Sequence, residues 1–222
     1  MRLLRDACLL CCFLLPVLGP AFPAHADTLA DSTESLRFHL ANGLEVRTRS
    51  IPGAKAVAIT VGYRAGSLYD PVGREGASDL LADLAFTAAA GDIPERTHAE
   101  MASLRPLGWT VRTNARMALL TEVAGTQQFP GVLRQVATRM RGVQVTDAAL
   151  QTALADTRRD LGTRYFGAPD MALYYRSGDL ARGMSDEALV RRASGKALEG
   201  IRAKEVSALL ARLYVPGNAV LS

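Results

Sequence analysis

The sequence predicts an α+β domain, a mainly antiparallel, mixed sheet with helices packed on it, and three observations carry that expectation. Residues 55–64 alternate Val57, Ile59 and Val61 with smaller partners, the period-two pattern of a strand with one buried face. The pair Asn42-Gly43 separates two further short extended stretches, which is the turn chemistry of a tight hairpin. Between Gly73 and Phe86, Ala77, Leu80, Leu81, Leu84 and Ala85 recur at helical spacing, so that segment is an amphipathic helix with one face in a core.

Residues 1–26 read as a signal peptide. Arg2 and Arg5 form a positive start, residues 7–18 an apolar run, and Ala24-His25-Ala26 a small-x-small cleavage site before Asp27. The run is too short, and too interrupted by Pro16 and Pro20, for a membrane span. Export to the periplasm or outside the cell is therefore expected, with no membrane anchor after cleavage. Cys8, Cys11 and Cys12 all lie in this segment. Leu10 precedes Cys11 and the apolar run continues to Leu18, so no lipid attachment is expected either. Without disulfides, residues 27–222 must be held by one hydrophobic core, which a single domain of that length can supply. The formal charge of +4 falls to about +3 when Arg2, Arg5 and Asp6 are removed, and no basic stretch is interleaved with aromatics, so nucleic acid is not an expected partner.

Strands are expected at 36–40 and 44–49 around the Asn42-Gly43 turn, then at 55–64, followed by a glycine-bearing loop over 66–76 into the amphipathic helix. Residues 97–104 open with Thr97 and carry Glu100 three positions on, a capping box that starts a second helix. Strands follow at 109–113 and 117–124, then helices at 129–141 and 147–164. Helix resumes over 168–182, because Pro169 suits a first turn, and the last helix spans 203–213. Tyr165, Phe166, Tyr174 and Tyr175 surround the break near Pro169 and are expected to pack in the core. Arg158-Arg159 and Arg191-Arg192 read as short charged clusters in a chain of mixed sign.

Asp79 and Asp83 are the candidate site residues of the amphipathic helix. Four residues apart, they share one side about a turn from each other, where a metal or acid/base site could be built. The plainer expectation is two solvated carboxylates near a helix N-terminus, whose dipole favours negative charge. Of the three histidines, His25 lies in the signal segment, and a histidine-based zinc site would need both His39 and His98 to converge on the carboxylates.

A longer pattern frames this helix: Asn42-Gly43-Leu44-Glu45-Val46, the strand that follows, Ala65-Gly66-Ser67, Asp70-Pro71, Gly73, Gly76 and finally Phe86. Near the C-terminus stands Tyr214-Val215-Pro216-Gly217-Asn218. Together these resemble the N-terminal domain of the M16 (insulinase- and pitrilysin-like) metallopeptidases, over residues 36–222. The resemblance implies that family's metallohydrolase-type α+β fold. Family members carry the zinc motif HxxEH; here its three chemical positions fall on Asp79, Ala82 and Asp83, and the third ligand position on Asp160. Ala82 stands where the family has its catalytic Glu and cannot accept a proton. An Asp79, Asp83, Asp160 set is all oxygen and suits Mg²⁺, Ca²⁺ or Mn²⁺ better than zinc. No cofactor is therefore expected, beyond a weak divalent metal. In the family, residues 108–115 correspond to an edge strand that pairs with peptide, and a second homologous domain follows, so a truncation before such a domain is expected here.

The resemblance thus implies an exported, non-catalytic member, the inactive partner or scaffold of an active M16 zinc peptidase subunit that degrades peptides. Two alternatives stay open: a metal-dependent peptidase using the three aspartates, and a stand-alone peptide-binding module.

Overall fold

The computed structural model describes residues 35–222. The expected signal segment and cleavage site, His25 and the three cysteines lie outside them.

β1 (Ser35–His39) and β2 (Glu45–Arg49) form the expected antiparallel hairpin. Gly43 sits at φ 85°, in the left-handed region that glycine enters freely, and its N–H donates to Leu40 O at 2.9 Å. The Asn42 side chain accepts from Leu44 N–H at 3.2 Å, which fixes the turn from the other side. β3 (Ala56–Tyr63) pairs antiparallel with β5 (Ala118–Gly125) along its whole length, and β4 (Trp109–Thr113) pairs antiparallel with β5. β6 (Ala219–Leu221) lies between β2, to which it is parallel, and β3, to which it is antiparallel. The sheet order is β1-β2-β6-β3-β5-β4, so the sheet is mainly antiparallel and mixed, as expected, with β4 at one edge.

Only one face of the sheet is fully covered. Along β5, Ala118, Leu120, Glu122 and Ala124 are buried while the residues between them are half-buried, and on β3 Ile59, Val61 and Tyr63 are buried on the same alternation, with Gly62 buried as well. α1 (Ala77–Thr87) lies on the covered face against β4 and β5, with α4 (Asp147–Phe166) and α7 (Ala203–Leu213) packed on it in turn. Its eleven residues are all buried. This corrects the expectation of a solvated carboxylate face: Asp79 is 6% and Asp83 8% exposed. The reason is tertiary, since a helix between a sheet and two other helices has no solvent side. Gly76, the residue before α1, has φ 97° and no side chain with which to cap the helix. Asp70 caps it instead, accepting from Gly76 N–H at 2.7 Å and Ser78 N–H at 2.6 Å.

The capping box of α2 (His98–Leu104) is present as read, Thr97 and Glu100 each bonding the other's backbone N–H. α3 (Phe129–Met140) and α5 (Pro169–Ala181) follow the expected pattern, α5 opening on Pro169. The aromatic cluster divides. Tyr165 is buried and tilts against Tyr175 at 5.8 Å between ring centres, whereas Phe166 and Tyr174 are exposed. α6 (Asp186–Ala193) is an element the sequence reading lacked. Its signals are there in Ser185, which caps Ala188 N–H, in Asp186 and Glu187 in the first turn, and in Arg191 and Arg192 in the last. Eight mostly polar residues give no clear period, so the arginine pair reads only as a short charged cluster. Arg192 is buried, and α6 joins Leu189 and Ala193 to Leu161 and Tyr165 in a second, small core. No helix among the described residues is long and apolar enough to cross a membrane.

Candidate functional site

Asp79 and Asp83 from α1 and Asp160 from α4 line one recess of about 350 Å³, together with His98, Trp109 and Thr113. The three aspartates named from the sequence therefore meet around one space. Two of them are already occupied. Arg164, one turn after Asp160 on α4, places Nη1 2.7 Å from Asp79 Oδ1, and its Nη2 donates to the Asp160 carboxylate. Arg192 of α6 places Nη2 2.8 Å from Asp79 Oδ2 and Nη1 3.4 Å from Asp70 Oδ2. The Thr113 hydroxyl also donates to Asp79 Oδ1. Burial alone would raise the Asp79 pKa, but the Arg192 and Arg164 guanidinium groups outweigh it and hold the carboxyl below the usual range.

A zinc ion at the positions the family resemblance implies does not fit these residues. Both oxygens of Asp79 serve guanidinium groups, and a metal between Asp79 and Asp160 would have to displace the Arg164 fork that already bridges them. Ala82, fully buried, offers no atom to take a proton from a bound water.

Asp83 points to the other end of the recess. Its Oδ1 lies 2.5 Å from His98 Nε2, and the other ring nitrogen, Nδ1, faces Asp156 Oδ2 at 3.9 Å. The hydrogen bond to Asp83, more than the nearby charges, raises the His98 pKa above its ordinary value although burial opposes it. The Trp109 ring stands against the imidazole at 5.2 Å between centres. One histidine reaches the carboxylates, then, and not two: His39 lies on β1 beside Glu45, at 3.8 Å. Asp156 is absent from the expected site, and His98 enters it only as one of a pair with His39. The Thr97 cap located His98 at the start of α2, but only the docking of α2 beside α1 gives it a role. Asp156 stands one turn before Asp160, and that spacing was the available signal.

Asp70 adds a pH dependence. Burial pushes its carboxyl up to about 6, against the opposing pull of Arg192 and the Gly76 and Ser78 N–H groups. A raised folded pKa gives stability that is complete below the unfolded value, about 3.8, and is lost as pH rises through 6, by about 3 kcal/mol in all. His98, also raised, adds a loss above its ordinary 6.5. Asp79, depressed, contributes above its ordinary value and loses that contribution only in stronger acid. Thermal unfolding is therefore expected at a higher temperature at pH 5 than at pH 8, and Asp70→Asn should flatten the part of the fall between pH 4 and 6. A melting temperature that climbs from pH 5 to pH 8 contradicts this assignment.

Among known proteins, no sequence family profile matches the chain. No curated protein matches it either. Among solved structures, a protease from Helicobacter pylori superposes on 85% of this chain with a TM-score of 0.64 at 14% identity. The chain spans 45% of the length of that protease. At this identity the likeness is one of fold: the α+β architecture is shared with that structure.

Proposed function

We propose that this chain is an exported, non-catalytic M16-like subunit, the inactive partner or scaffold of a zinc peptidase that degrades peptides. The observation that carries the reading is the Arg164 guanidinium bonded to both Asp79 and Asp160. A fixed internal cation stands where the resemblance puts a metal, and the methyl group of Ala82 where it puts the base. The fold shared with a protease supports a peptide-handling role.

A test uses the purified chain with fluorogenic peptides, with and without added zinc. No turnover is expected from the chain alone, whereas a complex recovered on it from its native extract is expected to carry zinc-dependent peptidase activity. Turnover by the chain alone that is lost in Asp79→Asn, with the variant still folded, overturns the proposal. A stand-alone peptide-binding module is the second reading. It is favoured by a groove of about 870 Å³ running between β4, at the sheet edge, and helices α4 and α5. Peptide affinity in the absence of any partner separates the two.

A further inference from the structure

We propose that Asp83, His98 and Asp156 hold one divalent cation of the Zn²⁺ class, as a structural clasp between α1, α2 and α4. Each residue offers one ligand atom, and the three atoms lie within 4.8 Å of one another. One imidazole and two carboxylates form a mixed nitrogen and oxygen set that suits Zn²⁺, and Co²⁺ as its spectroscopic substitute, rather than Mg²⁺ or Ca²⁺.

The two ends of the recess are built differently. Asp79 has two guanidinium partners, yet among the described residues no lysine or arginine nitrogen comes within bonding distance of Asp83, whose one ionic partner is the His98 ring. A carboxylate that is 8% exposed and faces only a half-buried imidazole lacks a permanent cation. The imidazole lies between Asp83 and Asp156, one nitrogen toward each. Asp156 is paired with Arg159, at 2.6 Å, but that side chain is 74% exposed and can swing into water as a metal enters.

A second observation is independent of the acidic groups. Thr157, next to Asp156 on α4, is 5% exposed, lines the same recess, and has no hydrogen-bond partner for its Oγ1. A buried hydroxyl without a partner is costly, and a water on the cation is the partner it lacks. Trp109 and Val111 supply apolar lining to the recess. Of the residues expected from the family pattern, only Asp83 belongs to this set; Asp79 and Asp160 remain with Arg164. With no carboxylate base at position 82, the cation serves to hold three helices together. The clasp stands whether or not the chain has a catalytic partner.

The test is titration of the chelator-stripped chain with ZnCl₂ by calorimetry, together with the Co²⁺ absorption spectrum and the melting temperature. One site is expected, with a melting temperature that rises with zinc. His98→Ala and Asp156→Asn should each weaken binding about 10-fold or more, and Asp160→Asn far less. His98 is partly exposed, so its alanine variant should fold; Asp156→Asn is the second, isosteric check. Three results overturn the proposal: no saturable binding, binding that both variants retain, or binding lost equally in Asp160→Asn, which would put the metal among the three aspartates.

Discussion

Asp79→Asn is expected to lower the unfolding free energy by about 3–5 kcal/mol, the range for breaking a buried pair by removing one partner. The carboxylate is 6% exposed and receives Arg164, Arg192 and Thr113. Neutralising it takes the shared partner from a buried guanidinium group, Arg192, and a half-buried one, Arg164. Arg164 keeps Asp160, and Arg192 keeps Asp70 at 3.4 Å and Asp179 at 3.8 Å, which places the loss at the lower end of that range. Asp83→Asn, whose partner is a half-exposed histidine, should cost about 1 kcal/mol in metal-free protein. Urea unfolding of both variants at pH 7 makes the comparison, and a double-mutant cycle with Arg164→Gln isolates the pair. Equal, small losses in the two variants would return Asp79 to the solvent and remove the basis for a built-in cation.

Glu122→Gln should have an effect of similar size at a place with no link to the recess. Glu122 sits on the covered face of β5, 2% exposed, with Oε2 2.6 Å from Arg105 Nε and Oε1 3.0 Å from Arg139 Nη1. Arg105 also donates to Gln135 Oε1 at 2.6 Å. Burial lowers the Arg139 pKa, and the Glu122 charge is the main influence opposing it. Without that charge, two arginine side chains, each 8% exposed, are left to repel each other where β5, α3 and the end of α2 meet. We expect a loss of about 3–5 kcal/mol in chemical denaturation with an unchanged slope. Replacing all three groups together, as Glu122→Leu, Arg105→Met and Arg139→Met, should recover much of it, because the burden comes from unpaired charge. A triple variant weaker than Glu122→Gln would show that the ion pairs contribute net stability.

The parts legible in the sequence were those set by neighbours along the chain. The Asn42-Gly43 turn, the period-two pattern of β3 and the Thr97 capping box each act over a few residues, and all three are found as read. What the sequence hid depends on distant partners. Asp79 meets Arg164 and Arg192 at separations of 85 and 113 residues, and no local pattern distinguishes a carboxylate bound that way from one in water. Arg192 was doubly hidden, since it belongs to a helix too short and polar to show a period. Asp160 reached the recess as the family pattern implied, but the arginine one turn further on decides what the recess can hold. His98 is the converse case: its local setting was read correctly, and its significance came from α2 resting beside α1.

The three residues of β6 are all that join the β1–β2 hairpin to the rest of the sheet. The central position of the sheet is thus filled by residues near 220, while the hairpin they hold begins at 35. During synthesis the hairpin can form early, yet it has nothing to attach to until almost the whole described chain has emerged. Pairings this remote in sequence make for slow folding, and a nascent chain built this way stays open late, with the apolar side chains of β2 and β3 available to whatever receives it.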